Sequence, residues 1–151
     1  MKIAIGSDHA GYQLKRLIAD HLSKQNIECC DYGAPNGVDP ASYVPYGQAV
    51  AQDVTAGAAD FGIVICGTGL GISMTANKCK GIRAALCTNE YMARMARQHN
   101  NANVLALGAR VIGSALAFAI VDAFLAEPFE SGGRHQARVN EITVMEEINF
   151  R

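Results

Sequence analysis

The segment Phe61 to Cys66, with the sequence FGIVIC, constrains the fold of this chain more than any other part of it. It carries no polar side chain at any position, so both of its faces must be buried, as in a central strand of a parallel sheet. Strand-like and helix-like segments alternate along the chain on both sides of it. This alternation predicts an α/β protein in which helices cover both faces of one parallel sheet.

The hydrophobic periodicity predicts five strands at residues 2–6, 27–32, 61–66, 82–87 and 104–107, and helices at 12–25, 46–56, 72–79, 90–98, 114–126 and 134–148. The first helix is expected to bury Leu14, Leu17, Ile18 and Leu22. Residues 34–44, with two prolines and a glycine, form a long loop of the kind that is often functional. We therefore expect a single domain over residues 1–151, folded as a three-layer, Rossmann-like α/β/α sandwich with a five-stranded parallel sheet.

Composition excludes several classes of function. The 151 residues include 13 Lys or Arg and 14 Asp or Glu, and a net charge of −1 disfavours a nucleic-acid surface. No apolar run approaches the ~18 residues of a membrane-spanning helix, and the short apolar run at Ile3–Ile5 is too short for a secretory signal. The five cysteines show no zinc-site spacing. We expect a cytoplasmic protein with reduced thiols that binds neither membrane nor nucleic acid.

Residues suited to catalysis or ligand binding follow three of the predicted strands. Asp8 and His9 follow the first strand, the turn Cys66–Gly71 (CGTGLG) follows the third, and Arg110 follows the fifth. Ligands of such sheets bind beyond the carboxyl ends of the strands. The alternating glycines let backbone N–H groups approach a phosphate or an oxyanion. The turn matches neither the dinucleotide fingerprint nor a P-loop, so by itself it indicates only an anion cradle.

Several of these residues admit two interpretations. The Cys66 thiol stands at a helix N-terminus that favours a thiolate, or it is a small buried hydrophobe. Asp8 either binds a ligand or caps the first helix. His99 is suited to acid–base chemistry near neutral pH, or it closes the C-terminus of its helix.

Arg134 and Arg138 lie four residues apart at the start of the last helix, so they share one face of it. Two guanidinium groups in that arrangement match a phosphate group. The alternative is ordinary surface pairing with Glu130 and Glu141.

The motifs of the chain, taken in order, carry a family resemblance over nearly its whole length. The segments are Ser7–Gly11, Cys66–Ser73, Ala76–Lys78, Arg97–Asn100, Asn103–Leu105, Gly108–Arg110 and Gly132–His135. Together they closely resemble the ribose-5-phosphate isomerase B family, which includes galactose-6-phosphate and allose-6-phosphate isomerases. Residues 34–44 are the least similar part, although Tyr43 resembles a tyrosine that contacts the sugar in that family.

The resemblance implies an enzyme that interconverts ribose 5-phosphate and ribulose 5-phosphate through an enediolate, with no metal or other cofactor. It implies that Cys66 is the proton-transferring base, that His99 is the acid that opens the sugar ring, and that Thr68 faces the reacting oxygens. The substrate contacts that it implies are Asp8, His9, Tyr43, Gly67, Thr68, Gly69, Leu70, Gly71, Asn100, Arg110, Arg134 and Arg138. Some relatives use a glutamate base near the glycine turn, but residues 70–75 contain none here.

The resemblance also implies a homodimer, or a tetramer as the alternative, in which the C-terminal helix extends to the partner and both protomers contribute to the site. Two other functions remain open. One is isomerisation of a six-carbon sugar phosphate, allose 6-phosphate or galactose 6-phosphate, with the loop 34–44 deciding sugar size. The other is a non-catalytic phosphate- or nucleotide-binding module, which would need the glycine turn but not Cys66 with His99.

Overall fold

Five parallel strands form one sheet in the computed structural model of this chain, which describes residues 1–150. The strands are β1 (Lys2–Ser7), β2 (Glu28–Asp31), β3 (Phe61–Cys66), β4 (Ala84–Leu86) and β5 (Val104–Gly108). Their order across the sheet is β2-β1-β3-β5-β4, and all pairs are parallel. The apolar strand β3 is therefore central, as its sequence predicts, and Gly62 to Cys66 are all buried.

The described residues also form six helices, of which the first five cover the sheet and the last packs against α4: α1 (Tyr12–Ser23), α2 (Val44–Thr55), α3 (Leu70–Ala76), α4 (Glu90–Asn100), α5 (Ser114–Ala126) and α6 (Gly133–Asn149). Successive side chains of a strand point to opposite faces, so the sheet separates two hydrophobic cores. Ile63 and Ile65 pack in one core with α1, α4 and α5, whereas Val64 packs in the other with α2 and α3. These two cores confirm the three-layer architecture.

The chain changes direction across the sheet between β1 and β3. From β1 it proceeds to β2 on one side, and it then returns to place β3 on the other side. The connections after β1 and β3 diverge there, which leaves a crevice beyond the carboxyl ends of these two strands. The Asp8 backbone N–H donates to the Ile65 carbonyl at 3.3 Å across this point, so the residues after β1 and β3 are neighbours.

Several element boundaries differ from the sequence prediction. Helix α2 begins at Val44 rather than at residue 46, because Pro45 occupies the first turn, where no N–H donor is needed. Helix α3 covers residues 70–76 and not 72–79, because it starts directly after Gly69, whose φ is +78°. Strand β4 is shorter than predicted and lies at the edge of the sheet.

The buried face of α1 also differs from the prediction. Leu17 is 37% exposed, whereas Lys15 is only 2% exposed. Both Asp31 carboxylate oxygens accept hydrogen bonds from the Lys15 ammonium at 2.7 Å, and this partner offsets the cost of burying the charge. The pair joins α1 to the end of β2.

The last helix, α6, is less buried than the others. Its C-terminal half leaves apolar side chains exposed, among them Val144, Met145 and Ile148. The Glu146 carboxylate accepts a hydrogen bond from the Gly81 N–H at 2.8 Å, which holds this end of the helix near the start of β4. Over residues 1–150, none of the helices combines the length and the hydropathy that a membrane crossing would need.

Candidate active site

The glycine turn after β3 surrounds the Cys66 sulfur with backbone. The Gly69 N–H donates to Cys66 Sγ at 3.1 Å, and the Thr68 hydroxyl accepts from the Leu70 N–H at 3.3 Å. Gly69 adopts a left-handed φ of +78°, which a residue with a side chain rarely accepts. A Cβ atom at Gly69 would also lie 2.9 Å from the Leu107 carbonyl carbon. The sequence therefore needs glycine at this position to fold the turn around the sulfur.

The structure agrees in part with each interpretation of Cys66, as a small buried hydrophobe and as a thiol in a setting that favours negative charge. It is only 4% exposed and belongs to the core that includes Val64 and Ile72. Its sulfur nevertheless contacts a backbone N–H donor, which is a partner that stabilises negative charge. Elsewhere in the chain, burial alone raises the pKa of Cys87 to about 11. Burial also raises the pKa of Cys29 to about 11, with the adjacent Cys30 adding to the effect.

Asp8 and His9 lie beside this turn, where the order of the strands places them. Asp8 is 6% exposed, and its carboxylate accepts the Gly11 N–H at 3.0 Å, so it caps the turn that leads into α1. The Ala41 N–H donates to His9 Nδ1 at 3.1 Å. The same nitrogen lies 3.3 Å from the Ala41 carbonyl oxygen, and these contacts tie the loop 34–43 to the site.

Tyr43 and Arg110 approach the glycine turn from two sides. The Tyr43 ring packs against Gly71 so closely that any side chain at position 71 would overlap it. The Arg110 backbone N–H donates to the Gly67 carbonyl at 2.9 Å. Its side chain also borders, together with His9 and residues 36–38, a cleft of about 590 Å³. The structure thus brings together the predicted residues at the carboxyl edge of the sheet, which we call the thiol half-site: Asp8, His9, Tyr43, Cys66, Gly67, Thr68, Gly69, Leu70, Gly71 and Arg110.

The other predicted residues form a second group around the end of α4. The His99 ring stacks on the His135 ring with centroids 3.9 Å apart and an angle of 2° between the ring planes. Arg134 Nε lies 3.4 Å from His135 Nε2, and a Glu130 carboxylate oxygen lies 3.7 Å from the same nitrogen. Burial, with His99 and Arg134 next in order, lowers the pKa of His135. We call His99, Asn100, Arg134 and Arg138 the histidine half-site.

Arg134 and Arg138 are both exposed on α6. Within residues 1–150, neither guanidinium forms an ion pair with a carboxylate, so the pairing with Glu130 and Glu141 that the sequence left open is not made. Two exposed cations on one helix face, unpaired within this range, are suited to an anionic ligand.

The thiol half-site lies at the carboxyl ends of the strands, whereas the histidine half-site lies at their amino ends. Helix α4 begins beyond the carboxyl end of β4 and runs back, so that the Asn100 carbonyl accepts from Arg83 Nε at 3.1 Å just before β4 begins. A helix of 11 residues spans about 16 Å. In one chain, His99 and Cys66 therefore lie at opposite ends of the strands.

Sequence reasoning did not identify the contacts of His135 and Glu130. The only available signal was that His135 adjoins Arg134 in the sequence. Within residues 1–150, His99, Glu130 and His135 form the one group with three potential metal-ligand atoms within 4.8 Å of one another. Lone pairs of imidazole nitrogens lie in the ring plane, and two parallel stacked rings do not direct them at a common point. We therefore assign no metal to this group.

Comparison with known proteins identifies the family to which the chain belongs. The sequence profile of one family, described as Ribose/Galactose Isomerase, matches residues 3–142. This chain belongs to that family. The family predicted from the sequence motifs is thereby confirmed.

Individual members of the Ribose/Galactose Isomerase family match the chain over almost its entire length. Ribose-5-phosphate isomerase B of Escherichia coli K12 is 49% identical over 146 residues, which is 97% of each chain. A solved ribose-5-phosphate isomerase B from Clostridium thermocellum is 56% identical, with a TM-score of 0.95 over 98% of this chain and 99% of that one. The enzyme from Mycoplasma genitalium, solved with bound ribulose-5-phosphate, is 43% identical, with a TM-score of 0.92 over 97% and 96% of the two chains.

Proposed function

We propose that this chain interconverts ribose 5-phosphate and ribulose 5-phosphate through an enediolate, with Cys66 as the base and without a metal ion. Family membership and the names of the relatives support the reaction. The observation that carries the assignment to residues is the 3.1 Å contact between the Gly69 N–H and Cys66 Sγ. It places a thiol, held against a backbone donor, at the crevice between β1 and β3.

The reaction requires one base that reaches two adjacent carbons. In the direction from the aldose, the Cys66 thiolate removes the proton from C2, the electron pair forms a double bond between C1 and C2, and the carbonyl pair moves to O1. The hydroxyl on C2 then loses its proton to become a carbonyl, and the thiol returns its proton to C1. We assign the transfer of the proton between O2 and O1 to the hydroxyl of Thr68, an exposed residue of the turn.

The enediolate oxygens need donors that are already in place. We assign this role to backbone N–H groups of the Gly67–Gly71 turn other than those of Gly69 and Leu70, which already donate to Cys66 Sγ and to the Thr68 hydroxyl. One such donor is commonly worth ~2.7–4 kcal/mol of transition-state stabilisation. The close packing of Tyr43 on Gly71 puts an aromatic ring and a hydroxyl at the margin of the same turn.

The remaining residues divide between ring opening and phosphate binding. Ribose 5-phosphate exists mainly as a closed ring, so an acid must protonate the ring oxygen while the hydroxyl on C1 loses its proton. We assign this acid role to His99, with Asn100 as a substrate contact beside it. We assign the phosphate to Arg134 and Arg138, and sugar or phosphate contacts to Asp8, His9 and Arg110.

Both half-sites must act on one sugar, although in a single chain they lie at opposite ends of the strands. We therefore propose a homodimer in which the thiol half-site of one protomer faces the histidine half-site of the other. A two-fold axis would produce two such sites at once. The exposed apolar side chains of α6, together with Leu70 and Met74 on α3, support an interface with a second copy.

The first experiment measures ketose formation from ribose 5-phosphate by absorbance. The parent chain should form ketose, and Cys66→Ala should reduce turnover by at least about 100-fold, because general acid–base catalysis contributes ~10²–10⁴-fold. Cys79→Ala is the matched control, since it removes a half-buried thiol outside the glycine turn and should keep parental activity. Near-parental turnover by Cys66→Ala would contradict the base assignment.

The second experiment tests the shared site by mixing two impaired variants, Cys66→Ala and His99→Ala. If sites combine residues of both protomers, each mixed dimer has one intact site and one doubly defective site. Random exchange makes about half of the dimers mixed, so activity should return to about one quarter of the parental value. If each site belonged to one chain, every site in the mixture would remain defective and no activity would return.

A six-carbon sugar phosphate is the second candidate substrate, because the family description includes galactose isomerases. Turnover of ribose 5-phosphate, allose 6-phosphate and galactose 6-phosphate should be compared side by side. The Tyr43 ring on Gly71 narrows the approach to the turn, so we expect the pentose phosphate to be preferred. A higher kcat/KM for either hexose phosphate would reverse this assignment.

A further inference from the structure

His135 is a buried histidine whose surroundings are built around His99. It is 8% exposed, and it lies at the start of α6 with one face of its ring against the ring of His99. Three further charged groups surround it: Glu130 in the segment before the helix, and Arg134 and Arg138 on the helix itself. The motifs that identify the active site assign it no role.

The stack fixes the orientation of His99. Two rings at 3.9 Å with planes 2° apart leave little freedom for either ring to rotate about its side-chain bonds. The two nitrogens of His99 lie at the edge of its ring. They therefore point outward in the plane of the ring and not toward the face of His135. A ring nitrogen held in this way can meet the same atom of the substrate in every turnover, and such orientation contributes to rate.

The surroundings of His135 disfavour a proton on its ring. Burial lowers the pKa of His135, and His99 and Arg134 lower it further. His135 therefore presents a neutral aromatic face to the His99 ring.

We propose that His135 is a positioning residue for His99: the face-to-face stack holds the His99 ring in the orientation that protonates the ring oxygen of the sugar phosphate. This proposal rests on the ring-opening role proposed for His99. His135 acts through His99 and makes no contact with the reacting atoms. Its Nε2 is already beside Arg134 and Glu130, at 3.4 and 3.7 Å, so it is not available to bind the sugar.

A double-mutant cycle on ribose 5-phosphate tests the proposal. In the parent, His135→Ala should lower kcat/KM by about 10- to 100-fold, because a misplacement of about 1 Å can cost ~10² in rate. In the His99→Ala background, where only the open-chain aldose reacts, the same change should cost less than about twofold. His135→Phe, which keeps an aromatic face against His99, should recover most of the parental kcat/KM.

A matched control is available elsewhere in the chain. His21 stacks on Phe118 with centroids 4.5 Å apart and pairs with Asp122 at 2.8 Å, but it belongs to neither half-site. His21→Ala should therefore leave kcat/KM unchanged. If His135→Ala does not fold, as judged by a missing thermal transition, the same cycle is run with His135→Gln.

Three results would distinguish positioning of His99 from another role of His135 and from failure of the proposed function. An equal loss from His135→Ala in both backgrounds would show that His135 acts on stability or on Arg134, and would overturn the proposal. A loss in His135→Phe as large as in His135→Ala would overturn it as well. Failure of the proposed function is distinct, because the parent chain itself would then form no ribulose 5-phosphate.

Discussion

Replacing Gly69 with alanine tests whether the glycine turn depends on the conformation that holds Cys66. Gly69 has a φ of +78°, and a Cβ atom there would lie 2.5 Å from Leu86 Cδ1 and 2.9 Å from the Leu107 carbonyl carbon. The Leu86 side chain can move, but the Leu107 backbone belongs to β5 and cannot move without distorting the sheet. The substitution must therefore displace the turn.

The magnitude follows from two contributions. A residue with a Cβ in the left-handed region costs about 1–2 kcal/mol. Insertion of a methyl group into a packed site adds about 1–3 kcal/mol. We expect Gly69→Ala to lower the free energy of unfolding by about 3 kcal/mol. For a chain of this length each kcal/mol shifts Tm by about 2–4 °C, so Tm should fall by about 6–12 °C.

The assay is urea and thermal unfolding of Gly69→Ala beside Gly67→Ala. Gly67 lies in the same turn, but its φ is not left-handed, and a Cβ there would meet nothing closer than Arg110 Cδ at 3.6 Å. Gly67→Ala should therefore change the free energy of unfolding by less than about 1 kcal/mol. Equal destabilisation by the two variants would refute the conformational argument for Gly69.

Three further predictions concern binding, metals and pH. Arg134→Ala and Arg138→Ala should each raise KM for ribose 5-phosphate about tenfold or more, with a smaller change in kcat. The reason is that charge-assisted contacts to a phosphate remote from the reacting carbons contribute ~1.5–3 kcal/mol. Unchanged kinetics would remove the two arginines from the phosphate site. Dialysis against a chelator should leave turnover intact, and loss of activity that a divalent ion restores would contradict the metal-free mechanism. The pKa of Cys87 is raised from 9.0 to about 11, so as pH rises the thiol keeps its proton longer in the folded state than in the unfolded state. The contribution of Cys87 to the free energy of unfolding should be fully present below pH ~9, and about 2–3 kcal/mol should be lost as pH rises through ~11. In denaturant titrations over this pH range, the free energy of unfolding of Cys87→Ala should fall less steeply than that of the parent.

The approximate positions of the strands, and the clustering of Asp8, Cys66 and Arg110 at their carboxyl ends, could be predicted because they follow from local patterns. The apolar run of β3 identifies the centre of the sheet, and the rule for carboxyl ends then places Asp8 beside Cys66. Other features depend on contacts between different elements of the fold, which local patterns do not contain. Spacing alone assigned Leu17 to the buried face of α1, but the nearby Asp31 allows Lys15 to be buried instead. The stack of His99 on His135 joins two helices that are far apart in sequence, so no local pattern contains it.

The placement of the two half-sites links catalysis to association. In a parallel sheet each helix returns the chain to the amino edge, so a residue at the end of α4 lies about a helix length from one at the end of β3 in the same chain. If His99 opens the ring for Cys66, a second copy must supply it, and free monomers have no complete site. Substrate that contacts both protomers then binds the dimer more tightly than the monomer, and it must strengthen association by the same factor. The exposed apolar side chains of α6 thus contribute to turnover through the equilibrium between monomer and dimer, although none of them belongs to either half-site.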